Sequence, residues 1–150
     1  MINSQHHPLF FYGTLRSQEV RDAVLSKLEC SLTLVKGFIL GYDLFRVKNT
    51  NYPLILKNKH SQKRILGCIV HNHNQEIINK LDLFEGENYS RFKAQAFRLS
   101  DELKVEVELY MPNKKLDYCE PWIFENWLKL EKESFFMKDF NKDGIKKPIY

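Results

Sequence analysis

The sequence predicts an α+β protein, a curved sheet or small barrel with helices packed around it. Three observations carry this. Stretches of strand character outnumber helical ones, and the two kinds are mixed along the chain. Gly37 and Gly41 interrupt one long extended stretch, as in a strand that must bulge or bend around a small barrel. Three segments, including one near the C-terminus, place apolar residues at helical spacing.

Taken in order, Leu9-Phe10-Phe11-Tyr12 reads as a short buried strand that stops at Gly13-Thr14-Leu15-Arg16. Ser17 can cap a helix running to about Leu28, with Val20, Val24, Leu25 and Leu28 inward. Residues 31 to 47 are extended. Asn49-Thr50-Asn51 is a turn, and Tyr52-Pro53-Leu54-Ile55-Leu56 a strand with its proline near the start, where a missing N–H is tolerated. Ile65 to Val70 is the next strand. Asn74 then caps a helix with Ile77, Ile78, Leu81 and Phe84 on one face, and Gly86 stops it. Tyr89 to Leu99 and Leu103 to Tyr110 form a hairpin around Ser100-Asp101-Glu102. Met111 to Tyr118 is a loop. Pro121 fits the first position of a final helix capped by Glu120 or Asp117. Its apolar face comprises Ile123, Phe124, Trp127, Leu128, Leu130 and Phe135 and should pack on the sheet. The charged tail after about Asp139 should fray.

With 150 residues, no linker and no internal repeat, residues 1–150 are expected to form one domain, with a core over about 8–112 and a helical extension over about 120–139. A hydrophobic content of 43% beside 28% charged residues is that of a soluble globular protein. The net charge of +4 is mild, and outside Lys114-Lys115 and the run from Lys142 to Lys147 the basic residues are scattered. Nucleic acid is therefore not an expected partner. Cys30, Cys68 and Cys119 are odd in number and far apart, which suits neither a disulfide framework nor zinc, so a cytoplasmic location is expected. Residues 1 to 8 lack the apolar core of a signal peptide, and no apolar run approaches membrane-spanning length.

Glu85 is the residue to explain. It lies seven after Ile78 and four after Leu81, on the apolar stripe of its helix. A carboxylate aimed at a core is costly, and burial raises its pKa toward values suited to proton transfer. The other reading is a frayed last turn with Glu85 in water or paired to Arg91. Tyr12-Gly13-Thr14-Leu15 joins a strand to a helix, where successive N–H groups can converge on an anion, or where glycine simply makes a turn. His71 and His73 would need a third ligand to hold metal, for which Cys68 is the only soft candidate, and a solvated pair is the plainer reading. Asp139-Phe140-Asn141-Lys142-Asp143-Gly144 imitates a calcium loop, but Tyr150 stands where the bidentate Glu belongs. Ser26 and Ser100 lack a His/Asp pattern, and Asp82 with Glu85 makes a carboxylate pair without the cleft a glycosidase needs.

Phe11-Tyr12-Gly13-Thr14-Leu15, Gly37, Tyr52-Pro53-Leu54-Ile55, Gly67 and Leu81-Asp82-x-Phe84-Glu85-Gly86-x-x-Tyr89-x-Arg91 occur together in that order. This combination, spread over about residues 8 to 112, resembles the γ-glutamylcyclotransferase-like family, also called AIG2-like. The resemblance implies a small mixed β-barrel with helices outside. It implies cyclisation of a γ-glutamyl amine or γ-glutamyl amino acid to 5-oxoproline with release of the amine, without metal or cofactor. Tyr12, Gly13, Thr14 and Leu15 match the substrate-binding loop, and Glu85 the catalytic acid/base. Tyr89 and Tyr110 are candidates to line the pocket or bond the γ-carbonyl oxygen, with strand packing as their other reading. Arg91 would steady a carboxylate, Glu85 or Glu87. The strand after Gly67 reads Cys68-Ile69-Val70-His71 where the family usually has Glu and Tyr. The competing class is a non-catalytic module of the same fold that holds a small acidic ligand.

Overall fold

The computed structural model describes residues 6–141. Five strands close into a barrel in the order β1-β5-β2-β6-β7: β1 Leu9–Phe11, β2 Thr33–Ile39, β5 Ile65–His71, β6 Tyr89–Arg98 and β7 Lys104–Pro112. A three-stranded sheet, β4-β3-β8, lies beside it, from β3 Tyr42–Val47, β4 Pro53–Lys57 and β8 Tyr118–Pro121. The barrel is mixed. Leu9 of β1 pairs in parallel with Glu108 of β7, and the other barrel pairs are antiparallel.

All three residues of β1 are buried because side chains alternate between two cores. Phe10 fills the barrel with Ile39, Ile69, Val107 and Leu109. Leu9 and Phe11 face out, into the layer packed by α1 (Gln18–Leu25), α2 (Gln75–Glu85) and the C-terminal helix. That is why the run reads apolar without alternation. Gly37 and Gly67 pair across β2 and β5 in unbroken register. A Cβ on Gly67 would lie 2.2 Å from the Phe11 carbonyl oxygen, so glycine there permits close approach, and the bulge expected at Gly37 is absent. The bend falls at Gly41, where φ is +86° and the chain leaves the barrel for the second sheet.

Four expectations need correction. The helix after Ser17 stops at Leu25, and a 3₁₀ helix, Ser26–Ser31, takes over where Ser26 adopts φ 53°. Ser17 occupies the cap position without a side-chain capping bond. Pro121 does not open the last helix. It ends β8, opposite Phe45, on the edge of the β4-β3-β8 sheet, where a residue without N–H leaves no ladder bond unmade. The helix begins instead at Phe124 and covers residues 124–139, with wide i→i+5 turns at Trp127–Glu131 and Phe135–Asp139. The wide turns rotate the inward face. Trp127 and Phe135 are buried, but Ile123 is 50% and Leu130 79% exposed. No helix among the described residues is long and apolar enough to cross a membrane. The basic run from Lys142 to Lys147 and most of the calcium-loop imitation lie outside the described residues. The one acid of that loop within them, Asp139, accepts a hydrogen bond from the Asn51 N–H at 2.8 Å.

Candidate active site

α2 carries the first half of the site. Asn74 caps it, its Oδ1 accepting the Ile77 N–H at 2.9 Å. Ile77, Ile78, Leu81 and Phe84 are buried against the barrel, which fixes the rotation of the helix. Gly86 takes φ 82° and ends it, its N–H donating to the Asp82 carbonyl at 3.1 Å. Glu85, the last helical residue, is thereby held partly buried.

The second half is the turn after β1. Residues 14–16 form one 3₁₀ turn, in which the Arg16 N–H donates to Gly13 O at 3.0 Å and the Ser17 N–H to Thr14 O at 2.9 Å. The turn's own bonds leave the N–H groups of Gly13, Thr14 and Leu15 unused, as at any helical start. A residue that periodicity alone did not single out holds this turn. Arg21 is 6% exposed, and its Nη1 donates to Leu15 O at 2.9 Å and Arg16 O at 2.8 Å. Its Nε donates to Glu29 at 3.1 Å. The carbonyls of the turn are thus held toward α1. The available signal was a charged residue three and four positions ahead of the inward Val24 and Leu25.

Both halves open onto one hollow. Tyr12, Gly13, Thr14 and Leu15 line one side and Phe84 with Glu85 another, and Tyr52, Pro53, Tyr89 and Tyr110 complete the wall. Burial pushes the Glu85 carboxyl up to about 8, and the Asp82 charge adds to this. Glu85 is therefore mostly protonated at neutral pH, and α2 stays helical through Glu85, which lines the hollow, so the frayed reading fails. So does its pairing with Arg91. Arg91 instead grips Asp82 with two bonds, at 2.9 and 3.2 Å, and Glu108 with a third at 2.9 Å, and neither Glu85 nor Glu87 is its partner. Asp82 also accepts the Tyr110 hydroxyl at 2.7 Å.

The tyrosines line the hollow, but their protons are committed. Tyr12 donates to the Tyr110 carbonyl, Tyr89 to the Pro53 carbonyl at 3.1 Å, and Tyr110 to Asp82. A phenol has one proton, so none of these hydroxyls is left to donate to a γ-carbonyl oxygen as expected of Tyr89 and Tyr110. Their oxygens remain as acceptors. Burial raises all three, and the nearby Glu85 raises them further.

The remaining candidates stay apart from this place. No group of three His, Cys, Asp or Glu side chains among the described residues could hold a metal ion. His73 packs on His6, ring centroids 5.5 Å apart, and burial lowers its pKa. Ser26, in the 3₁₀ helix, and Ser100, in a turn, are exposed.

Comparison with known proteins agrees with this fold. Protein AIG2 C of Arabidopsis thaliana is 27% identical over 147 residues, covering 93% of this chain and 86% of that protein. An Arabidopsis thaliana protein solved in solution superposes with a TM-score of 0.67 at 26% identity, over 90% of this chain and 89% of the other. A solved gamma-glutamyl cyclotransferase shares the fold, with a TM-score of 0.58 at 13% identity over 88% of this chain and 86% of that one. Residues 9–129 match the family described as gamma-glutamyl cyclotransferase, AIG2-like, and the chain belongs to that family.

Proposed function

We propose that the protein cyclises a γ-glutamyl amine or γ-glutamyl amino acid to 5-oxoproline and releases the amine, with Glu85 as general acid/base. One observation carries the reading: a carboxyl raised to about 8 and a turn of main-chain N–H groups line the same hollow. The substrate α-carboxylate lies against the N–H groups of Gly13 to Leu15. This folds the glutamyl chain so that its own amine meets its γ-carbonyl carbon, and confinement of both partners in one molecule supplies much of the acceleration. The α-ammonium loses a proton to ionised Glu85 and the nitrogen lone pair forms the ring N–C bond. The carbonyl re-forms as the bond from that carbon to the leaving nitrogen breaks, and Glu85 returns its proton to that nitrogen. Glu85 then carries the surplus proton of the ring nitrogen to the leaving amine, so that a neutral lactam forms and the amine leaves as ammonium. The phenol oxygens of Tyr12 and Tyr89, as acceptors, suit the N–H groups of the amines. No metal or cofactor enters these steps.

The test is a panel of γ-glutamyl amines, γ-glutamyl amino acids and γ-glutamyl-ε-lysine, scored by 5-oxoproline release. Wild-type turnover of at least one supports the reading. A protein that binds members of the panel and converts none is a binding module of this fold instead.

A further inference from the structure

The C-terminal helix reaches both halves of the site from outside the hollow. Asn51 is its main foothold. The Asn51 N–H donates to Asp139 Oδ2 at 2.8 Å, its Nδ2 donates to Ser134 Oγ at 3.0 Å, and its carbonyl accepts from Trp127 Nε1 at 2.7 Å. Three turns of one helix thus hold one residue by its amide, side chain and carbonyl. Asn51 leads directly into Tyr52 and Pro53, which wall the hollow. The Pro53 ring in turn lies where it would meet a Cβ on Gly13 at 2.9 Å, so wall and turn are in direct contact. The Arg16 guanidinium, at the end of that turn, stacks 4.2 Å above the Phe124 ring. Phe140, the residue that ends the helix as its cap, packs on Phe84, ring centroids 5.8 Å apart, and Phe84 immediately precedes Glu85.

We propose that the C-terminal helix is a positioning element of this site, holding the Gly13–Leu15 turn and the Glu85 end of α2 in register through Asn51 and Phe84. The family match ends at residue 129, so Ser134, Asp139 and Phe140 extend the site beyond it. The two halves come from the first and the middle parts of the chain, and each needs the other placed to within a fraction of an ångström for proton transfer. Misplacement by about 1 Å costs on the order of a hundredfold in rate. A helix that fastens to both fixes their separation. This rests on the roles given above to Glu85 and to the turn.

The experiment uses the full chain. Asp139→Ala removes the acceptor of the Asn51 N–H, whereas Asp139→Asn keeps an oxygen in its place. For D139A we expect kcat about tenfold lower with KM within about threefold, and for D139N both within about twofold of wild type. Amide exchange at residues 13–15 and 86 follows the same order and needs no turnover. Wild-type kcat in D139A, or failure of D139N to restore it, overturns the proposal. If the wild type converts no γ-glutamyl compound, the proposed function fails by itself. Exchange then decides: equal rates in wild type and D139A overturn the positioning role, and faster exchange in D139A alone supports it. Should D139A not fold, Ser134→Ala, which removes one side-chain bond from Asn51, is read by the same outcomes.

Discussion

Replacing Glu85 by Gln should make the protein more stable and catalytically dead. In the folded chain this carboxyl titrates at about 8 rather than 4.5, so between those values the native state keeps a proton that the unfolded state has released. Stability therefore falls as pH rises across that window. At about 1.4 kcal/mol per unit, the roughly 2.5 units between 4.5 and pH 7 correspond to about 3 kcal/mol. Glu85 is only partly buried, and solvent screening at its exposed side leaves about 1–2 kcal/mol. Gln has the same size and no proton to lose. E85Q should thus melt about 3–6 °C higher than wild type at pH 7 and level with it at pH 4. Its 5-oxoproline release should fall by about 10² to 10⁴-fold, the usual contribution of a general acid/base. Wild-type kcat/KM should rise through pH 6 to 8, as Glu85 ionises, and flatten above. The measurements are calorimetric melting at both pH values and a pH–rate profile. Equal melting temperatures at pH 7, or turnover by E85Q at the wild-type rate, would refute the assignment.

Asp82→Asn removes the neighbouring charge that helps raise Glu85 and keeps an acceptor for Tyr110. The midpoint of the pH–rate profile should move below about 8, while an unmoved midpoint would leave burial as the sole cause. Gly13→Ala puts a methyl 2.9 Å from the Pro53 ring. It should cost about 1–3 kcal/mol in thermal melting, since the packed wall cannot yield, and raise KM more than it lowers kcat. Gly67→Ala meets main chain rather than a side chain, at the Phe11 carbonyl, and should cost about 3 kcal/mol or more, seen as loss of soluble folded protein. Arg21→Ala frees the carbonyls of Leu15 and Arg16 and strands Glu29 beside α1. It should lower melting by several degrees and abolish saturation by substrate, and Arg21→Lys should recover only part of either, because one ammonium cannot reach three acceptors.

What this protein's sequence determines unaided is whatever a run of a dozen residues can enforce. The Asn74 cap, the apolar stripe of α2 and the stop at Gly86 are read directly, and they place Glu85 at the end of the helix while leaving open whether it meets the core or water. The β6–β7 hairpin and the order of the barrel strands' apolar runs are legible for the same reason, since side-chain alternation and turn residues act between near neighbours. The tertiary structure alone decides the rest. Arg91 finds Asp82 and Glu108 rather than the closer Glu87, Tyr110 spends its proton on Asp82, and Pro121 ends an edge strand. The wide turns that bury Trp127 and expose Leu130 are likewise settled by the contacts of that helix with Asn51. Closure of the barrel brings residues about 70 positions apart, Gly13 and Glu85, to one hollow, and the burial this produces is the larger cause of the raised carboxyl, with Asp82 of the same helix adding to it. Periodicity reports which way a side chain points. What it meets there depends on chain segments that no local pattern encodes.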